Sequence, residues 1–263
     1  MKDVPTSPAA LLPGHARHGH GPIRVLVLHD WLCDHSSYDA LLPHLDTQAF
    51  SYVLMDLRGY GRSRGLPLGC SVQQIAADCI ALADHLGWQR FHVIGHSMTG
   101  MLTQRLAVDI PGRLLGAVAL RPVSAAGNRL PADMQAFFAS TVHDDDALAR
   151  LLAHVSGGMP ASWVAARVRR HRAVVEAEAA LGYLRMLVET DFSGEMRDVA
   201  TRFLVVVGDR DPRLDAEAMT RTFLAWHPEA VLAVINECGH FPMAQHPARL
   251  AAIIEAFMRQ HPA

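Results

Sequence analysis

The stretch Phe91-His92-Val93-Ile94-Gly95-His96-Ser97-Met98-Thr99-Gly100 decides the reading of this chain. Val93 and Ile94 are the β-branched, apolar end of a buried strand, whereas Met101, Leu102, Leu106 and Ala107 recur at the spacing of a helix face. The strand therefore passes into a helix within a few residues, and the turn between them must be tight. Small residues have to flank Ser97 there; Gly95 fits, and Gly100 eases the exit. A serine on such a turn holds its hydroxyl off the backbone at the mouth of a sheet. The first unpaired amides of the following helix point at one spot, where negative charge can be held.

Outward from this turn, strand and helix alternate. Ile23–Leu28, Phe50–Met55, Leu114–Leu120, residues 202–207 and residues 230–235 are short apolar runs, as expected of strands buried on both faces of a parallel sheet. Residues 71–86 read as the clearest helix: Ser71 and Gln74 form a capping box, Val72, Ile75, Cys79, Leu82 and Leu86 share a face, and Gly87 ends it. Residues 36–45 are expected to form a short helix, and Leu250, Ile253, Ile254 and Phe257 mark a terminal one. This alternation predicts an α/β fold with a doubly wound, mostly parallel sheet, whose reactive groups gather beyond the carboxyl ends of its strands. Between Pro122 and Thr201 the strand signal stops. About eighty residues are too many for a plain loop, and residues 131–140, 144–155, 160–171 and 173–190 read as four helices of an inserted unit. Asp144, Asp145 and Asp146 suit a helix N-terminus, as Pro131 and Pro160 suit first turns.

The chain has 263 residues, half of them hydrophobic, which is enough for a sizeable core. A formal charge of −2 exerts no general pull on nucleic acid or an anionic membrane, so the expected partner is a small molecule. Cys33, Cys70, Cys79 and Cys238 lie far apart without metal-ligand spacing and read as reduced thiols of a cytoplasmic protein. Residues 1–22 lack the apolar core of a signal peptide, and no run is long enough to cross a bilayer; a soluble monomer or homodimer is expected. His15, His18 and His20 fall in this leader or edge segment, where no carboxylate or cysteine completes a metal site. Arg167, Arg169, Arg170, His171 and Arg172 read as a solvated helix face.

Gly95-His96-Ser97-Met98-Thr99-Gly100 resembles the nucleophile elbow of the α/β-hydrolases, although that family's G-x-S-x-G pattern has glycine where Thr99 stands. Asp56-Leu57-Arg58-Gly59-Tyr60-Gly61-Arg62-Ser63 is similar to the family's Asp-x-Arg-Gly-x-Gly-x-Ser loop, which gives Asp56 and Arg58 a structural role. Gly208-Asp209-Arg210-Asp211-Pro212 resembles the loop carrying the acid and points to Asp211, with Asp209 as competitor. Glu237-Cys238-Gly239-His240-Phe241-Pro242-Met243 is similar to the loop carrying the catalytic histidine, here His240; Gln245 replaces a glutamate often seen nearby. The loop His29-Asp30-Trp31-Leu32-Cys33-Asp34-His35 corresponds to one that begins His-Gly. By that correspondence the amides of Trp31 and Met98 form the oxyanion hole, and the carboxylate of Asp30 is expected to point away.

The resemblance implies a core domain over 23–122 and 201–263, with 123–200 as a helical cap. It also implies a substrate pocket to which Phe137, Trp163, Tyr183, Met186 and Phe241 are candidate contributors. The order Ser97, Asp211, His240 is that of the family. It implies hydrolysis of a carboxylic ester or lactone of a small, fairly apolar molecule through an acyl-enzyme, with no metal or organic cofactor. Serine at the elbow, rather than aspartate, sets the chain apart from dehalogenase and epoxide hydrolase relatives. C–C bond hydrolases and perhydrolases share the triad. Residues 31–35, Arg58-Gly59-Tyr60-Gly61 and His240-Phe241-Pro242 also resemble cofactor-independent ring-cleaving dioxygenases of this fold, whose acid follows an earlier strand. Here Arg121-Pro122-Val123-Ser124 stands after that strand. A third reading is a slow-turnover, hydrolase-derived ligand-binding protein.

Overall fold

The computed structural model describes residues 11–197 and 199–262. Strands β1 (His15–Gly19), β2 (Ile23–Leu28), β3 (Phe50–Met55), β4 (Phe91–His96), β5 (Leu114–Leu120), β6 (Phe203–Gly208) and β7 (Val231–Ile235) form one sheet in the order β1-β3-β2-β4-β5-β6-β7. Strands β2 to β7 are parallel, and β1 runs antiparallel to β3. The central strands β4, β5 and β6 are buried along their whole length, which is why they need unbroken apolar runs. Residues 1–10 of the leader lie outside the described residues. The His15–Gly19 part of that segment is an edge strand, placing His15 and His18 opposite Met55 and Tyr52.

Helix α1 (Val72–His85) starts at Ser71, whose side chain accepts from Gln74 N at 3.1 Å. Half of the expected capping box is made: the Gln74 amide donates onward to Asp78 at 3.0 Å, and Asp78 also receives Arg58 through two bonds of 2.7 and 2.8 Å. Residues 36–45 fold as two short 3-10 turns, His35–Tyr38 and Leu42–His44, because Pro43 lacks the amide that a continuous helix would use. Helix α2 (Gly100–Asp109) packs on β4, β5 and α1.

Four helices stand between β5 and β6: α3 (Ala132–Ser140), α4 (Asp145–Val155), α5 (Ala161–Val174) and α6 (Ala177–Glu189). The Asp144 carboxylate caps α4 by accepting from the amides of Asp146 and Ala147. The break expected near residue 172 lies instead at Val175, which forms a β-bridge with Tyr60 while Glu176 N donates to Gly59 O. A tertiary contact with the glycine-rich loop, rather than local propensity, ends α5. After β6 come α7 (Ala216–Arg221) and α8 (Phe223–Trp226); after β7 come α9 (Pro242–Gln245) and α10 (Pro247–Arg259). Among the described residues no helix is long and apolar enough to cross a membrane.

Candidate active site

Ser97 follows the last residue of β4 with φ of +55°, a conformation that costs a non-glycine residue about 1–3 kcal/mol and is retained where the surroundings enforce it. Two glycines make it feasible. A Cβ on Gly95 would overlap the Thr99 carbonyl, and one on Gly100 would overlap Pro122. Thr99, which departs from the family pattern, fits because its hydroxyl is used: it accepts from His96 N at 2.9 Å and lies 3.0 Å from His29 O at the end of β2. The elbow is thereby pinned to the neighbouring strand.

The loop after β6 carries Asp211. Its Oδ1 accepts from the amides of Arg213 and Leu214 at 2.9 and 3.0 Å, which leaves Oδ2 to accept from His240 Nδ1 at 2.7 Å. Burial would raise the Asp211 pKa, but the hydrogen bond and charge of His240, with Arg121 beside it, hold it well below the usual carboxylate range. Asp209, the competitor, is exposed and accepts from Cys238 N at 3.2 Å. His240 is fixed through its backbone: its amide donates to Val155 O at 2.8 Å, and its carbonyl accepts from His96 Nε2 at 2.8 Å. Because a carbonyl only accepts, His96 carries its proton on Nε2. Ser97, Asp211 and His240 all line one cavity, but Ser97 and His240 are not hydrogen-bonded to each other in this arrangement. Such contacts commonly tighten only when substrate binds.

Arg121, at the end of β5, escaped notice as a site residue. It is fully buried, and its Nε lies 3.4 Å from Asp211 Oδ2. Its sequence signal was a charged residue directly after a wholly apolar strand.

Neither the amide of Trp31, in the loop after β2, nor that of Met98, in the elbow after β4, donates to a protein acceptor among the described residues. The Trp31 indole donates to Ala180 O at 2.8 Å, and Tyr60 OH donates to Trp31 O at 3.0 Å. Asp30 is among the cavity-lining residues, and both its carboxylate oxygens are occupied: Oδ1 accepts from Leu32 N, and Oδ2 from Ser37 Oγ and Arg167 Nη2. Burial works against this charge, yet the Arg167 guanidinium beside it, with the Ser37 hydroxyl, keeps its pKa far below the ordinary value.

Arg167 belongs to the run expected to be a solvated face, but its side chain is largely buried against Asp30, and only Arg169 and Arg170 of the run are exposed. Arg170 pairs with Asp34 at 2.7 Å, the buried His171 bonds to Leu32 O through Nδ1 at 2.9 Å, and Arg172 donates to Thr141 O at 2.9 Å. Arg167, Arg170 and His171 form the seam between α5 and the loop after β2, Arg172 ties α5 to the α3–α4 junction, and Arg169 is exposed. The charge composition of the run matched a surface because the complementary carboxylates lie far away in sequence.

Asp56 has the structural role its loop suggested, accepting from His35 N and Arg62 N, both at 2.8 Å. Asp34, His35 and Asp56 offer ligand atoms within 4.8 Å of one another. Their oxygens already receive Ser36, Arg170 and those two amides, so the cluster is better suited to joining loops than to ligating an ion.

The cavity, about 450 Å³, is of a size suited to a small organic ligand. Its apolar wall comes from Met134, Phe137 and Phe138 of α3, Leu151 and Val155 of α4, and Leu187 of α6. Phe137 was expected there. Trp163, Tyr183, Met186 and Phe241 were also expected but do not line it. Trp163 meets Phe241 in a tilted arrangement at 5.1 Å between ring centroids, while the fully buried Tyr183 packs against Tyr60; Met186 is also buried. The Trp163–Phe241 and Tyr183–Tyr60 pairs join the inserted helices to the core.

Residues 23–247 match the family model described as the α/β hydrolase fold. The dihydrolipoyllysine-residue acetyltransferase component of an acetoin cleaving system from Cupriavidus necator is 36% identical over 111 residues, covering 41% of this chain and 29% of that protein. The chain thus spans less than a third of that relative. The pimeloyl-[acyl-carrier protein] methyl ester esterase of Serratia marcescens is 28% identical over 92% of this chain and 96% of its own length. Among solved structures, an N-acyl homoserine lactone degrading enzyme superposes with a TM-score of 0.79 at 23% identity, covering 93% of this chain and 96% of its own. With the family model spanning most of the sequence and the sheet order established, the chain belongs to the α/β hydrolase fold family.

Proposed function

We propose that this hydrolase cleaves a carboxylic ester or lactone of a small, fairly apolar substrate through an acyl-enzyme on Ser97. One observation carries the reading: a serine in a left-handed turn shares a cavity with a histidine whose far nitrogen is bound to a buried carboxylate at 2.7 Å. His240 takes the Ser97 proton as the hydroxyl attacks the carbonyl and returns it to the leaving alcohol. Asp211 orients the ring and stabilises the imidazolium. The amides of Trp31 and Met98 hold the developing oxyanion, each donor being worth about 3 to 4 kcal/mol. Water then attacks the acyl-enzyme with His240 as base. The helices over residues 123–200 act as a cap whose apolar wall favours hydrocarbon over polar groups.

The named relatives include a methyl ester esterase and a lactone-degrading enzyme, which supports this bond class. Four free cysteines suit a reducing, cytoplasmic setting. Arg121 counts against the dioxygenase reading, since a buried cation occupies the strand end where that chemistry places an acid. The test is a panel of p-nitrophenyl esters, lactones and β-diketones assayed with the wild type, Ser97→Ala and His240→Ala. Ester or lactone turnover that both substitutions abolish supports the reading; undiminished turnover in either variant refutes it.

A further inference from the structure

Arg121 is a non-glycine residue with φ of +44°, and its side chain is fully withdrawn from solvent. Two unfavourable features in one residue call for a compensating arrangement. The guanidinium Nε donates to Gly239 O at 2.8 Å, while Nη1 and Nη2 donate to Gly208 O at 3.0 and 3.2 Å. Gly239 directly precedes His240, and Gly208 begins the turn that leads to Asp211. One side chain thus clamps the two loops that carry the acid and the histidine. Nη2 also donates to Cys238 O at 3.5 Å, and Nε lies 3.4 Å from Asp211 Oδ2, the same oxygen that His240 Nδ1 meets at 2.7 Å.

We propose that Arg121 is a positioning residue of the catalytic centre, which sets the register of the Asp211 and His240 loops and shares the charge of the Asp211 oxygen that orients the His240 ring. The inference rests on the hydrolytic reading of Ser97. Its physical basis is competition for one carboxylate oxygen. With a permanent cation on one side, a second positive charge on the imidazole gains less. With that cation removed, the imidazolium becomes the sole charge compensating a buried carboxylate, and the ring holds its proton to higher pH. Other groups around His240 are His96, at 5.0 Å between ring centroids, Asp30 behind it at 3.5 Å from His96 Nδ1, Arg167 over the adjoining Phe241 ring, and Asp133, Arg150, His154 and Arg213 on the shared cavity. None of these bridges the two loops as Arg121 does.

The experiment compares wild type, Arg121→Met and Arg121→Lys, with thermal unfolding recorded for each. In Arg121→Met the acidic limb of kcat/KM should move to higher pH by about one unit, a roughly tenfold loss on that limb. In Arg121→Lys the charge is kept and the carbonyl clamp is loosened; the plateau should fall while the midpoint stays near that of the wild type. Arg121→Gln replaces the methionine variant should the latter fail to fold, with the same upward shift expected.

The His240 ring signal, assigned by its loss in His240→Gln and followed by nitrogen NMR across pH, reads the same shift without turnover. Failure to hydrolyse any ester and failure of this inference are therefore distinguishable. An unchanged His240 midpoint in a folded, charge-free variant overturns the proposal, as does an equal upward shift in Arg121→Lys.

Discussion

Arg167 Nη2 lies 3.0 Å from Asp30 Oδ2, and both side chains are largely withdrawn from solvent. The pair joins α5 of the insertion to the loop after β2, and the Arg167 guanidinium also sits 5.2 Å over the Phe241 ring beside His240. It accounts for an acidic residue where the family pattern has glycine: the Asp30 charge is neutralised locally and also organises its own loop through Leu32 N. Removing one partner of a buried pair commonly costs about 3–5 kcal/mol because the other charge is left stranded. Arg167→Ala should therefore lower the free energy of unfolding by about 3 kcal/mol, read from urea denaturation. A double-mutant cycle with Asp30→Asn should give a coupling of about 1 kcal/mol or more; additivity would show that the pair is not energetically linked.

Ser97 has φ of +55°, and its strain is separable from its chemistry. Ser97→Gly should relieve about 1–2 kcal/mol of backbone strain and raise the melting temperature by about 2–8 °C while abolishing turnover. A lower melting temperature in calorimetry would mean that the turn is not strained.

Gly100 presents the opposite case. It lies in ordinary helical conformation, where alanine is favoured by about 1 kcal/mol, yet an added Cβ would run into Pro122. Gly100→Ala should destabilise the protein by about 1–3 kcal/mol through overpacking and shift the elbow helix. The denaturant midpoint and kcat should both fall.

His92 and His227 are buried, and burial lowers each pKa from 6.5 to about 4. Between those values the unfolded chain binds protons that the folded one does not, so folding stability must fall as pH is lowered from 6.5 towards 4. At about 1.4 kcal/mol per pH unit, each histidine contributes a loss of about 3 kcal/mol across that window. Urea unfolding at pH 7.5 and 5.0 should show the decline, and His92→Leu should lessen it. A pH-independent midpoint would place the protonation of both rings elsewhere.

The parts of this site that could be read from the sequence are those whose signal is local. Gly95, Ser97 and Gly100 mark a tight turn between an apolar strand and a helix, and Asp211 and His240 each follow a strand by a few residues. The parts that could not be read depend on partners distant in the chain. Arg167 and Arg170 have the composition of a surface helix until Asp30 and Asp34, more than a hundred residues earlier, come to meet them. Trp163 and Tyr183 have the character of pocket residues, but helical periodicity shows which residues share a face and not what that face meets. Strand β1 is polar along His15–Gly19 and lacks the apolar alternation that marks a buried strand; its pairing with β3 defines it.

The hydrolytic chemistry depends above all on Ser97 being an activated nucleophile. Incubation of the folded protein with a fluorophosphonate, followed by peptide mass spectrometry, should place one phosphonyl group on Ser97. His240→Ala should remain folded and label at least a hundredfold more slowly, on the order expected for loss of a general base. A label carried on another residue, or equal labelling of the wild type and His240→Ala, would contradict it.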